Sequence, residues 1–438
     1  MRQRELELDL KQQARYSHWR NSVFSSSWLL YAGYYLCRKD VKILQMLPGA
    51  DPSLGEVANL LFAFGLAYTI GQFLAGTLAD IKGARITALI GGLVSAASTA
   101  AMVVGHTHRS LLILQMLNGL GQGCGFPSLA KLLSSWFERR ERSTVLAWWS
   151  ASYSLGGVVA TGLAAWCATT PLLFPALGWK RSYLLPSVLL AALTLYFYIT
   201  TRDEPEDADL PPLSLEDKGP AKTGWRNVLR RPEIQNIAVM YFFLKMTRYA
   251  LLFWLPLYLV QTVHYSDVLA GSTSSLFEIF GFVGAVLATY ISNKYFQARR
   301  YPVAAIMLFA LGFMSLMEPL VSTLGWWASA TSISLMGILI YGPDALIVST
   351  AVLESVPHRE AGRALAFVNG VGSIGQMFSP YLVTRFAHHY GWDNLFNLLL
   401  ITSLISAGIM ARKWNQSNLG SDSSRGNALP TGAEKEFA

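Results

Sequence analysis

YPVAAIMLFALGFMSLMEPLVS, residues 301–322, decides the fold. Apart from Glu318 the run carries no charge. At 1.5 Å of rise per residue, about twenty such residues cross the roughly 30 Å hydrocarbon core of a bilayer. Eleven further runs share this character, and the twelve together predict transmembrane helices over residues 21–47, 54–80, 84–105, 110–136, 143–170, 182–201, 233–262, 268–293, 301–322, 326–353, 361–386 and 393–411. Composition agrees. Of 438 residues 52% are hydrophobic and only 14% charged, against about 25% charged in soluble domains. So few charges cannot clothe several soluble domains, and the chain reads as an all-α, polytopic membrane protein.

The longest polar stretch between runs, Arg202 to Pro232, holds Glu204, Glu206, Asp207 and Asp209, the pair Pro211–Pro212, and then Lys218, Lys222, Arg226, Arg230 and Arg231. It reads as a linker joining six helices to six. The expected organisation is an amino-terminal segment 1–20, a bundle 21–201, the linker 202–232, a second bundle 233–411 and a polar, disordered tail 412–438. Basic residues gather in alternate loops, among them Lys82, Arg85, Arg139, Arg140, Arg299, Arg300, Arg359 and Arg412. By the positive-inside tendency both termini are cytoplasmic. The formal charge of +8 is scattered between apolar runs, which argues for membrane orientation and against a nucleic-acid partner. Cys37, Cys124 and Cys167 all fall within apolar runs and read as small packing residues rather than a bridge or a metal site. The polar start, Met1 to Arg20, precedes an apolar run too long for a cleavable signal. No Gly-rich nucleotide loop, metal-ligand histidine pair or nucleophile elbow is present, so neither an enzyme nor a cofactor is expected. Short termini and compact loops favour a bacterial inner membrane, with the endoplasmic reticulum as the eukaryotic alternative; a monomer is expected.

The two halves repeat each other. Trp179 in GWKRSY matches Trp392 in GWDNLF, Arg139–Arg142 matches His358–Glu360, and Gly125–Pro127 matches Tyr341–Pro343, all at offsets near 210 to 219. A parallel six-plus-six repeat places a site near the bilayer midplane between the halves, exposed alternately as one half rocks against the other.

Ionisable residues deep inside a span are expensive and mark function. Arg248 lies about 15 residues into the seventh span, roughly 22 Å from its start. Arg38 is similarly deep in the first span and stands 210 residues earlier, so the repeat brings one arginine from each half towards the pseudo-symmetry axis. Forked, permanently charged guanidinium groups suit a doubly charged tetrahedral anion. Lys245, one turn before Arg248, faces the same way. The structural alternative is that these cations only neutralise membrane carboxylates, with Glu278 and Asp344 as partners. Both uses can occur in sequence, a cation leaving its carboxylate when ligand arrives. His18, His106, His108, His264, His358, His388 and His389 lie in loops or at helix ends, which argues against an imidazole proton relay. Proton coupling through Glu278, Glu318 or Asp344 stays open, although Glu318 beside Pro319 reads as interfacial. Tyr31, Tyr34, Tyr35, Tyr68, Trp148, Trp149 and Tyr153 accompany the cations. Each serves equally well as packing; Tyr35 and Tyr68 stand out, since a phenol can donate to phosphate while its ring covers a sugar or glycerol face.

GTLADIKGAR, residues 76–85 between the second and third spans, resembles the loop signature of the major facilitator superfamily. Gly76 permits close helix approach, and Asp80 and Arg85 can pair to hold the cytoplasmic side shut. YYLCRK at 34–39, NGLGQGCGFP at 118–127, RYALLFWLPLY at 248–258 and IYGP at 340–343 together resemble the organophosphate:phosphate antiporter family, from the first span to the twelfth. That resemblance implies two pseudo-symmetric six-helix bundles and the exchange of a phosphorylated small metabolite, a sugar phosphate or glycerol phosphate, for inorganic phosphate. It assigns the phosphate arginines to Arg38 and Arg248, the accompanying tyrosines to Tyr35 and Tyr68, and a glutamate of the eighth span to Glu278. The sequence departs from the family at four places. Gln72 stands for a lysine, Tyr153 for the histidine of the glycerol-phosphate type, Phe253 for a carboxylate, and Lys245 for a tyrosine. One cation is thus lost at Gln72 and one gained at Lys245, so the cavity keeps its total charge. A sugar-phosphate sensor on the same scaffold, signalling to a membrane partner, and a proton-coupled organic-anion carrier are the alternatives.

Overall fold

The computed structural model describes residues 2–38, 54–105, 107–169, 175–212, 224–357, 360–392 and 394–415. Among them there is no strand. The helices are α1 (Arg2–Leu36), α2 (Leu54–Ile81), α3 (Ala84–Ala101), α4 (His108–Gly123), α5 (Gly125–Trp136), α6 (Arg139–Trp149), α7 (Ala151–Thr169), α8 (Arg181–Thr200), α9 (Trp225–Leu229), α10 (Pro232–Gln261), α11 (Asp267–Tyr295), α12 (Arg300–Ser322), α13 (Trp326–Pro343), α14 (Val352–Ser355), α15 (Ala361–Tyr390) and α16 (Leu395–Ala411). Asp344–Ala351 between α13 and α14 is π-helical. Seven helical stretches among the described residues are long and apolar enough to cross a membrane on those grounds alone. The other predicted spans also fall on helices. They miss that standard because α1 opens with a charged half, α4–α5 and α6–α7 are interrupted, α15 is diluted by glycines and polar residues, and α16 is only 17 residues long.

The breaks have local causes. Pro127 lacks an N–H and the stretch before it is glycine-rich, so the fourth rod is interrupted at Cys124, which keeps helical dihedrals (φ −71°, ψ −19°). Pro343 likewise precedes the π-helical stretch, since a proline inside a helix frees a carbonyl and crowds the preceding turn. The first span differs most from expectation. The charged start is itself helical, extending α1 back to Arg2, whereas the helix ends at Leu36 and Arg38 sits in the turn beyond, its N–H 3.2 Å from the Tyr35 carbonyl. Residues 39–53, which include the rest of that predicted span, lie outside the described residues, as does the tail from 416. The predicted linker carries order of its own: α9 and a short 3₁₀ turn at Pro205–Ala208.

Helix pairing follows the internal repeat. The α2–α4 contact is matched by α11–α13, α3–α8 by α12–α16, and α1–α7 by α10–α15. The helices of the first half meet those of the second along two seams, α2 against α15 and α6–α7 against α11. Close approach needs glycine at the tightest crossings: a Cβ on Gly123 would stand 2.6 Å from the Tyr68 carbonyl oxygen.

The face on which α1 begins is called proximal here. There the α2–α15 seam is closed by Asp80, whose carboxylate accepts from Lys131 at 2.7 Å and from Arg363 of the opposite half at 3.1 Å. The expected Asp80–Arg85 pair does not form. Arg85 turns away to the Tyr198 carbonyl (2.9 Å) and the Tyr198 ring (4.0 Å), and its backbone N–H donates to Asp203. The cause is positional, since Arg85 already lies in the first turn of α3, against α8, while Asp80 ends α2 and looks into the seam. Glu318, one turn before the end of α12, is fully buried between α12 and α13 and accepts from the Ser332 hydroxyl.

Candidate functional site

Four elements from the two halves deliver side chains to one buried cleft. From α1 come Tyr31 and Tyr35, one turn apart, with Arg38 just beyond; α2 supplies Tyr68. In α10, Tyr241, Lys245 and Arg248 follow at i, i+4 and i+7 and so share one stripe. The π-helical stretch opens on Asp344. All eight line the cleft, together with Trp149, Tyr153, Tyr249 and Asn369. Its free volume is about 30 Å³, room for about two waters, so a phosphate ester needs the side chains to part.

Each cation is held in its own way. The Arg38 Nε donates to Gln122 Oε1 at 2.8 Å, and its guanidinium carbon lies 4.5 Å from the Tyr35 ring centroid and 4.9 Å from that of Tyr68. Gln122 is in turn fixed by Asn118, which accepts from Gln122 at 3.1 Å and from Ser95 at 2.6 Å and donates to the Cys37 carbonyl at 2.8 Å. The NGLGQGCGFP motif thus shapes a close helix crossing with its glycines and aims an arginine with its amides. Arg248 donates to Asp344 at 2.6 Å and lies over the Tyr341 ring at 4.0 Å and the Tyr153 ring at 5.1 Å. The Tyr153 hydroxyl also donates to Asp344, at 3.4 Å. Lys245 donates to Ser373 at 2.8 Å, and the Ser373 hydroxyl donates to Gln72 Oε1 of the other half at 3.2 Å.

Tyrosine faces therefore surround every cation, a setting that offsets part of the cost of burial through cation–π attraction. Tyr35 and Tyr153 stack at 6.5 Å and bridge the two arginine sites. The formal charges in the cleft are three positive and one negative, a surplus of two. Two guanidinium edges remain for a ligand: Arg38 Nη2 and Arg248 Nε are buried without a hydrogen-bond partner among the described residues.

Of the sequence-predicted residues, the structure gathers Arg38, Arg248, Lys245, Tyr35, Tyr68, Tyr153 and Asp344 on the cleft. Gln72 lies behind it, linked through Ser373. Glu278, half-buried on α11, is not among the lining residues, and Asp80 and Arg85 belong to the proximal face. Sequence reasoning misses Tyr241, Tyr249, Tyr341, Gln122, Asn369 and Ser373. Tyr241 carries a usable signal, standing one turn before Lys245 on the cation stripe; the amides and the hydroxyl carry none.

The model of the Major Facilitator Superfamily matches residues 23–352. The chain resembles the solved proton:xylose symporter XylE bound to 6-bromo-6-deoxy-D-glucose, with a TM-score of 0.70 at 15% identity over 90% of this chain and 96% of that one, a likeness of fold. The chain belongs to the major facilitator superfamily: it is a multi-pass integral membrane protein of a transporter class, not an enzyme. Its relatives narrow this further. It is 27% identical to a probable hexose phosphate transport protein of Chlamydia trachomatis (92% of each chain) and 25% identical to the glycerol-3-phosphate transporter of Bacillus subtilis (93% of this chain, 95% of that one). It is also 26% identical to the membrane sensor protein UhpC of Escherichia coli (90% and 92%). These are proteins of the organophosphate:phosphate antiporter family, the one its motifs resemble, and that resemblance holds along the chain.

Proposed function

We propose that this protein is a secondary active transporter that exchanges a phosphorylated small metabolite, a sugar phosphate or glycerol phosphate, for inorganic phosphate by alternating access. The observation that carries this is the meeting of Arg38 and Arg248, one from each half, on one cleft with a formal surplus of two positive charges. Forked guanidinium donors match phosphate oxygens, and a dianion cancels the surplus. The cycle starts from the Arg248–Asp344 pair. An arriving phosphate competes for Arg248, frees Asp344 and Tyr153, and draws the halves together over itself. Opening the proximal side then requires Asp80 to release Arg363. The basic loops argue that both termini are cytoplasmic, the compact loops favour a bacterial inner membrane, and a cleft lined from within one chain needs no second copy.

The test is counterflow of radiolabelled phosphate in proteoliposomes, competed by a panel of phosphate esters. Arg38→Lys and Arg248→Lys should each lower exchange more than about tenfold, because an ammonium keeps the charge and loses the fork. Near-native rates in both variants would remove the assigned site. The UhpC likeness supports one other reading, a sensor on the same scaffold; ester binding by purified protein that moves no phosphate would establish it instead.

A further inference from the structure

Four buried donors at the cleft have no partner among the described residues: Arg38 Nη2, Arg248 Nε, the indole nitrogen of Trp149 and the side-chain amide nitrogen of Asn369. The first two belong to the proposed phosphate site. Asn369 belongs to neither arginine. It stands on α15, is only 3% exposed, and lies one turn before Ser373 on the same helix face. That face carries the Lys245–Ser373–Gln72 chain, and Gln72 Nε2, also fully buried, is likewise unpartnered among the described residues. Buried amide donors are seldom left unpaired, because their lost hydration is not returned.

We propose that Asn369 is a substrate-selecting residue whose amide donates to an oxygen on the organic part of the ester while the arginines hold the phosphate. This rests on the exchange reading above and names the residue that reads the hydroxyl-bearing body of the ester. The chemistry favours phosphate esters of polyhydroxylated bodies, glycerol or a hexose, over esters of a plain alkyl group. A neutral amide offers nothing to a methyl or methylene, and an alkyl body leaves the donor unpaired, which is the stronger source of discrimination.

The experiment measures competition against phosphate counterflow by glycerol 3-phosphate, hexose 6-phosphate and ethyl phosphate in proteoliposomes. The readout is the ratio of apparent affinities, hydroxyl-bearing ester to ethyl phosphate, so a uniform loss of activity cancels. In Asn369→Leu this ratio should fall roughly three- to tenfold, the worth of one neutral hydrogen bond. Asn369→Ser, which keeps a donor, should regain part of it. An unchanged ratio in Asn369→Leu, with phosphate counterflow present, overturns the proposal alone. Absence of phosphate counterflow in the native chain overturns the exchange reading and this proposal with it. If Asn369→Leu fails to reach the membrane, the native chain decides: no preference for either hydroxyl-bearing ester over ethyl phosphate overturns the assignment.

Discussion

An arginine in a membrane is useful only if its fork is aimed, and the aim of Arg38 comes from residues distant in sequence. Gln122 takes its Nε and Asn118 takes Gln122, leaving Nη2 for a ligand. A hydrogen bond to a charged group is worth about 1.5–3 kcal/mol, so Gln122→Leu should weaken phosphate affinity by roughly ten- to a hundredfold while leaving the charge in place. Competition assays in which Gln122→Leu matches the native affinity would show that Arg38 needs no such support. The exchange of Gln72 and Lys245 between charge types has a geometric basis too, since Ser373 links the two side chains directly. Lys245→Tyr and Gln72→Lys should each lose counterflow and the double variant should recover part of it; a double variant no better than either single one removes the compensation. The two arginines are legible in the sequence because a charge inside an apolar run has few explanations. Gln122 and Asn369 are not, because amides and hydroxyls sit in many membrane helices and only the folded chain shows which of them lack or supply a partner.

At the scale of elements, the spans are read well from hydropathy and poorly at their ends and breaks. Hydropathy locates α10 within a residue, yet it cannot see that α1 continues as a charged helix to Arg2 or that Pro343 opens a π-helical stretch. That stretch brings Asp344 to Arg248. The α2–α15 seam carries the sharper consequence. A Cβ at Gly76 would collide with the Ala366 side chain and stand 2.8 Å from the Gly362 carbonyl oxygen, beside the Asp80–Arg363 pair. Overpacking of this kind costs about 1–3 kcal/mol, and here it is charged only to the state in which the proximal seam is closed. Gly76→Val should therefore favour the proximally open state by roughly 5- to 100-fold and slow exchange. A reporter cysteine at Thr77 should then react faster with an impermeant maleimide applied to that face; unaltered labelling would show that the seam does not govern opening.

For the whole molecule, the question is why binding should be obligatory for turnover. The halves meet along two related seams, and the cleft between them holds Arg38, Lys245 and Arg248 against Asp344. Reorienting without ligand carries two uncompensated positive charges through a closed state inside hydrocarbon. At about 2.5 kcal/mol or more for each, this slows the empty carrier by a factor of about 10³ or more. A phosphate dianion removes the surplus, so the loaded carrier moves and the empty one waits, which turns a simple gate into an exchanger. Proteoliposomes loaded with labelled phosphate should accordingly leak slowly into phosphate-free medium and release label at least about a hundredfold faster when phosphate is added outside. Lys245→Met removes one of the two surplus charges. It should raise leak into phosphate-free medium by about tenfold or more while lowering true exchange, two changes of opposite sign that a merely damaged protein would not produce. Native leak as fast as native exchange would mean that charge surplus does not restrain the empty carrier, and the coupling would then have to come from the seams alone.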